Sequence, residues 1–287
     1  MDSVCAVRIP RKLIVECASG QTRRKLQLSR LDQKVVVVTG GAGDGIGQGI
    51  SSEVVEAGAT LVILDMDIVR ANQLVAELGA DRVSAIEVDV SSESAVAAAF
   101  ERIAQQHGQV DVLVNSAGIG LIRAPHQATL AEFTRLLGVD LQGAWLCCKA
   151  AIPFMLRQKS GAIVNIGSVH GMATMPGYSL YAGVKAGLGG FTRGLAVEYG
   201  PHGIRANLIA PGLVDGSQTR AVLTDLGHDP AAWIAAFLKQ NQALQTSILP
   251  QDIGRAVVFL ASDDARAITG VELPVDAGAL AQLASKS

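Results

Sequence analysis

Short apolar runs rich in β-branched residues recur along the chain at Val35–Thr39, Leu61–Leu64, Val83–Val88, Val110–Val114, Ile163–Ile166, Ile204–Ile209 and Glu272–Val275. Alanine-rich stretches with apolar residues at helical spacing lie between them, over 70–78, 93–106, 130–156, 181–199 and 251–261. Another follows the first run, where Ile50, Val54 and Val55 mark one helix face. Strands that are apolar throughout are buried on both sides, and alternation with helices supplies the crossovers that cover them. The pattern predicts a Rossmann-type, doubly wound, seven-stranded parallel sheet in three α/β/α layers. Ligands of such sheets sit beyond the carboxyl ends of the strands, so the residues directly after each strand carry the candidate chemistry.

Composition narrows the class. With 287 residues, 49% apolar and 17% charged, the chain has material for a sizeable core and is not a disordered one. No apolar run approaches the roughly 18 to 20 residues of a membrane span, and a cytoplasmic protein is expected. Residues 1–30 hold seven basic and two acidic groups, or +5; the whole chain is −2, so the remainder is −7. The expected organisation is a flexible basic extension over 1–31 and one catalytic domain over 32–287. An acidic body lacks the positive face that nucleic acid requires. The four cysteines form no C-x-x-C pattern and the five histidines no ligand spacing, so reduced thiols and no metal are expected.

The first strand runs into Thr39-Gly40-Gly41-Ala42-Gly43-Asp44-Gly45-Ile46-Gly47 and then a helix. Glycines let backbone approach a pyrophosphate, whose charge suits free N–H groups and the positive end of a helix. The second strand ends at Asp65, eighteen residues after Gly47, near the distance for a carboxylate that accepts from the adenosine ribose hydroxyls. That carboxylate repels a 2′-phosphate, no arginine follows directly, and Asp44 adds negative charge, so NAD is expected over NADP. Asp89-Val90 and Asn115-Ser116-Ala117-Gly118 follow the third and fourth strands. Asp89 suits the adenine amino group, and the small residues allow close approach to a flat ligand.

The strand Ile163–Ile166 ends in Gly167-Ser168, and thirteen residues after Ser168 comes Tyr181-Ala182-Gly183-Val184-Lys185. Residues four apart share a helix face. Oxidising an alcohol requires removal of its hydroxyl proton as hydride leaves carbon, and a free tyrosine, pKa about 10, is a poor base near neutrality. A neighbouring ammonium stabilises the phenolate. Lys185 would supply that charge, and Ser168 would hydrogen-bond the substrate oxygen.

On these motifs, with Pro211-Gly212 and a C-terminal Gly270…Val275-Asp276-Ala277-Gly278, the chain resembles the short-chain dehydrogenase/reductase family over roughly 32–279. The resemblance implies an NAD(P)-dependent oxidoreductase and a homotetramer. It implies that Ser168 orients substrate, that Tyr181 is acid and base, that Lys185 also binds the nicotinamide ribose, and that Val214 contacts the carboxamide region. Three positions depart from the family. The glycine loop has one residue more than Thr-Gly-x-x-x-Gly-x-Gly, so Asp44 or a neighbour must bulge out. Val139-Asp140-Leu141 stands where the family has an asparagine that holds a water; Asp140 is expected to accept from Lys185 through that water and to weaken its field at Tyr181, shifting alcohol oxidation to alkaline pH. Gly216 replaces a threonine, with Ser217 the substitute for its hydroxyl.

Segment 215–250 carries Val222, Leu223, Leu226, Trp233, Ile234, Phe237 and Leu238, with Arg220 and Lys239 its only cations. Such a lid excludes water and favours a bulky, uncharged secondary alcohol or ketone of alicyclic, terpene or steroid type; ordinary packing between amphipathic helices is the competing explanation. His170, Met172, Met175, Tyr178 and Leu121 are candidate pocket walls by position, and His170 is taken as a substrate contact. A cofactor-binding sensor with weak or no turnover is the alternative function.

Overall fold

The computed structural model describes residues 30–282; the basic extension therefore lies almost wholly outside the described residues. Its last two residues belong to the fold instead. Arg30 pairs with Asp264 at 3.2 Å, and Leu31 is fully buried, its N–H on the Ala57 carbonyl at 2.9 Å.

Seven strands, β1 (Val35–Thr39), β2 (Thr60–Asp65), β3 (Val83–Glu87), β4 (Val112–Asn115), β5 (Gly161–Ile166), β6 (Ile204–Pro211) and β7 (Glu272–Val275), form one parallel sheet in the order β3-β2-β1-β4-β5-β6-β7. The central strands show why they read as unbroken apolar runs. Val36 and Val38 of β1 enter one core with Leu61 and Ile63 of β2, while Val35 and Val37 enter the opposite core with Val62 and Leu64. Side chains alternate across a strand, so a strand covered on both faces needs apolar residues at every position.

Helices α1 (Ile46–Glu56), α2 (Ile68–Leu78) and α9 (Pro250–Ala261) cover the first face, and α3 (Glu93–His107), α5 (Gly143–Gln158) and α6 (Ser179–Tyr199) the second. Local signals set their ends. Ser92 caps α3 by accepting from the Ala95 N–H, and Gly108, at φ 68°, ends it in the left-handed conformation.

The helix expected over 130–156 is interrupted. It consists of α4 (Leu130–Leu137), a π-helical turn over Gly138–Gln142, and α5. The π turn holds Asp140, which is buried; an extra residue in a helical turn re-aims the side chains around it, and such turns occur often at functional sites. Segment 215–250 forms α7 (Ser217–Asp225) and α8 (Pro230–Asn241). Leu223, Ile234 and Leu238 make a small core between these helices, with Trp233 and Phe237 packed on it. Most of the lid's apolar character is spent on its own packing, leaving Val222 and Leu226 exposed.

Candidate active site

The switch point of the sheet, between β1 and β4, opens into a cleft of about 1390 Å³. Gly40, Ile46, Gly47, Asp65, Asp89, Val90, Ala117, Gly118, Asp140, Tyr181 and Lys185 line it. At the glycine loop, Gly40 has φ +62°, and a Cβ there would lie 2.7 Å from the Ala117 Cα. A Cβ on Gly47 would lie 1.9 Å from the Gly40 carbonyl oxygen. Thr39 joins the two strand ends, its Oγ1 accepting from the N–H groups of Ser116 and Ala117, both at 3.1 Å. Backbone therefore forms a cradle with no room for side chains, the shape that a pyrophosphate at the start of α1 requires.

Asp65 sits at the rim of the cradle. Its Oδ2 accepts from the Ala42 N–H and its Oδ1 from the Asp67 N–H, each at 3.0 Å. Asp89 turns Oδ1 back onto the Ser91 N–H (2.9 Å) and hydroxyl (2.7 Å). Arg70, five residues beyond Asp65, reaches back to pair with Asp44 and to donate to Gln48 Oε1 at 3.3 Å. Local spacing gave no sign of this arginine.

Tyr181 and Lys185 lie on one face of α6, with Lys185 Nζ 5.6 Å from the centroid of the Tyr181 ring. Lys185 is buried and donates to the Ile166 carbonyl at 3.1 Å. Its other contact corrects the expected water bridge: Asp140 Oδ2 meets Nζ directly at 3.0 Å. The Ile119 N–H fixes the other carboxylate oxygen at 2.8 Å. Gly118 is small for this pair, since a Cβ there would lie 3.1 Å from Asp140 Oδ2 and 3.5 Å from Nζ. Burial alone lowers the Lys185 pKa; the charges of Tyr181 and Asp140 and the bond to Asp140 outweigh it, and the net direction is up.

Ser168 begins the short turn Val169–Gly171, its Oγ accepting from the His170 N–H at 3.2 Å. A hydroxyl that accepts this bond keeps its own proton to donate. His170 stacks on Tyr178 at 4.1 Å between centroids and meets Tyr181 edge-on at 5.8 Å. Burial holds the His170 pKa below its ordinary value. Tyr181 thus stands in an aromatic group, with Met172 and Met175 exposed nearby in sequence.

Asn115 does not face the cleft. Its Nδ2 donates to Asn165 Oδ1 at 2.8 Å and to Cys148 Sγ at 3.4 Å, inside the core. Asn165 continues to Thr192 Oγ1 at 2.8 Å, and Thr192 to the Leu188 carbonyl at 2.8 Å. This buried ladder, unforeseen in the sequence, ties β4 and β5 to the helix that carries Tyr181 and Lys185. Pro211, Gly212 and Val214 lead from β6 into the lid; the Gly212 N–H bonds the Val275 carbonyl at 3.0 Å, and Val214 bridges to Ile248. Ser217 Oγ is not free as the expected threonine substitute, because it donates to the Asp44 carbonyl at 2.9 Å. Cys147 and Cys148 are buried free thiols, and burial pushes Cys148 up to about 12, so they are unreactive.

The family model described as enoyl-(acyl carrier protein) reductase matches residues 41–279. The chain is 33% identical over 252 residues to meso-2,3-butanediol dehydrogenase of Serratia marcescens, covering 88% of this chain and 96% of that one. It is 37% identical over 252 residues to cis-4-hydroxycyclohexanecarboxylate dehydrogenase of Sinomonas cyclohexanicum, covering 86% and 96%. The crystal structure of gox2181 superposes with a TM-score of 0.81 at 34% identity, covering 88% of this chain and 99% of that one.

Proposed function

The chain belongs to the short-chain dehydrogenase/reductase family, whose members are oxidoreductases with a nicotinamide cofactor, and from this premise we propose that it is an NAD-dependent dehydrogenase of a secondary alcohol. The observation that carries the proposal is the buried Lys185 beneath Tyr181 at the edge of a glycine-lined cleft. The cradle of Gly40, Gly45, Ile46 and Gly47 would hold the pyrophosphate, and Asp65, Asp89, Val90, Ala117 and Gly118 the adenosine half. Pro211, Gly212 and Val214 would border the nicotinamide. Bound there, the cofactor supplies the acceptor or donor of hydride.

Ser168 Oγ donates to the substrate oxygen and holds it against Tyr181. Tyr181 Oη takes the alcohol proton during oxidation and returns it during reduction. Lys185 Nζ supplies the positive charge that favours the phenolate, while Asp140 holds the ammonium in position and takes up part of its field. NAD is favoured because Asp65 presents a carboxylate to the ribose hydroxyls, and because Arg70 is engaged by Asp44. The aromatic group of His170, Tyr178 and Tyr181, with the exposed Met172 and Met175 close in sequence, supports a bulky, apolar, cyclic alcohol. The relative that acts on a hydroxycyclohexane carboxylate is consistent with a ring, and the butanediol relative puts small diols into the same test. We assign the protein to the cytoplasm as a homotetramer with one catalytic domain.

A second reading, an NAD-binding sensor with little turnover, is favoured by the direct Asp140–Lys185 pair, which offsets part of the lysine's charge. Absorbance of reduced nicotinamide, recorded with NAD or NADP against cyclic, terpene and steroid alcohols and vicinal diols, decides between them. Turnover with NAD that is lost in Tyr181→Phe supports the dehydrogenase. Tight NAD binding by calorimetry, with no alcohol or ketone converted, supports the sensor.

A further inference from the structure

Asp44 lies in the glycine loop, which has one residue more than the family pattern, and it is exposed. Both of its polar ends are nonetheless engaged. The carboxylate pairs with Arg70 of α2. The carbonyl accepts from Ser217 Oγ at 2.9 Å and from the Gln218 N–H at 3.1 Å, the first two residues of α7. Helix starts leave amides that need acceptors, and the residue preceding α7, Gly216, has no side chain to serve them. The Asp44 carbonyl, from the glycine loop, serves that of Gln218. The two segments meet closely, since a Cβ on Gly216 would lie 3.3 Å from the Gly45 Cα. Gln218 itself lines the cleft.

The base of the lid is fastened separately. The Asp215 N–H donates to the Ile248 carbonyl at 2.7 Å, and its carboxylate takes bonds from Arg220 at 2.7 and 2.9 Å and from Ser247 Oγ at 3.0 Å. These contacts fix where the lid leaves the sheet. The contact to Asp44 fixes where its first helix lies over the cleft.

We propose that Asp44 is a positioning residue that clasps the lid to the cofactor loop: its carbonyl caps α7, and the hold of Arg70 on its carboxylate sets the direction of that carbonyl. Asp44 thereby couples the two halves of the site, so that the phosphate cradle and the substrate lid move together. Naming the two ligands rests on the proposed dehydrogenase function; the clasp itself does not.

Three variants test it: deletion of Asp44, Ser217→Ala, and Ser217→Thr, which keeps the hydroxyl. Trypsin cleavage of the lid, at Arg220 and Lys239, is followed by mass with and without NAD, alongside melting temperature and KM and kcat for the best alcohol. The deletion and Ser217→Ala should speed lid cleavage and raise the alcohol KM by about two- to tenfold, the range for loss of one ordinary hydrogen bond, with kcat changed less. Ser217→Thr should restore wild-type behaviour. Wild-type cleavage rates in Ser217→Ala overturn the clasp. So does a deletion that only lowers the melting temperature and leaves lid cleavage unchanged. Because cleavage needs no turnover, a chain without dehydrogenase activity would sink the functional reading and still report on the clasp.

Discussion

Lys185 is the residue on which the chemistry converges, because its ammonium donates to the Ile166 carbonyl, pairs with the Asp140 carboxylate and lies 5.6 Å from the centroid of the Tyr181 ring. The net rise of its pKa sets the sign of its linkage. Stabilisation from the charged pair is present below the ordinary lysine value of about 10.4 and is lost only as pH rises through the higher folded value. Across the neutral range the pair is therefore intact, and Asp140 draws on the field that Tyr181 needs. Asp140→Asn removes that competitor, so the rise of alcohol oxidation with pH should move to lower pH and the rate near neutrality should increase. A pH–rate profile identical to wild type would show that Asp140 does not influence Tyr181. Tyr181→Phe removes the proton acceptor itself. We expect kcat to fall by about 10²- to 10⁴-fold, the usual share of general acid–base catalysis, with NAD affinity by calorimetry nearly unchanged. Asp65→Ser acts at the other end of the cleft: it removes the carboxylate that opposes a 2′-phosphate, and the ratio of kcat/KM for NAD over NADP should drop by at least about tenfold. An unaltered ratio would shift the basis of selection to Asp44 and Arg70.

Helix α6 carries Tyr181 and Lys185 in its first two turns, and its placement depends on an interior contact that the cleft does not reveal. Asn115, Asn165 and Thr192 form an unbroken ladder from β4 through β5 to α6. Thr192→Val removes one rung and leaves the Asn165 amide without its acceptor in the core, at a cost of about 1 to 3 kcal/mol. Urea unfolding should record that loss, while Thr192→Ser, which keeps the hydroxyl, should lose much less. The same ladder shows which parts of the molecule were legible in the sequence. The central strands were, because burial on both faces writes a continuous apolar run, and β1 occupies the predicted residues without change; the edge strand β7 does too, though it is only partly buried. The Tyr181–Lys185 pair was, because a helix brings residues four apart together. Asn115 was legible as a strand end but not in its orientation, since an asparagine there serves a cleft or a core equally well. Arg70 on Asp44 and Ser217 on Asp44 join residues 26 and 173 positions apart; no local pattern encodes such pairs. The lid's pattern fits two roles, and its residues Leu223, Ile234 and Leu238 fill a small core of their own, because apolar residues on two adjacent short helices pack on one another.

At the scale of the whole molecule, the cleft is a seam between parts that fold from different stretches of chain. The glycine loop follows β1, Asp65 ends β2, Tyr181 and Lys185 come from α6, and Gln218 comes from the lid. A ligand that bridges these parts binds only the folded chain, so it should stabilise the fold by RT ln(1 + [L]/Kd), about 2.7 kcal/mol at a hundredfold excess over Kd. For a chain of this size that free energy corresponds to a rise in melting temperature of a few degrees. NAD should produce the rise at lower concentration than NADP, because Asp65 opposes the added phosphate while the pyrophosphate cradle treats both cofactors alike. Thermal shift at graded concentrations separates the two contributions. Equal midpoints for NAD and NADP would show that the adenosine end does not discriminate, and no shift with either would count against the cleft as a dinucleotide site. Asp65→Ser should bring the NADP curve toward that of NAD, and the ligand-free protein should itself melt somewhat lower, since Asp65 is half-buried at the end of β2 and its carboxylate accepts from the Ala42 and Asp67 N–H groups.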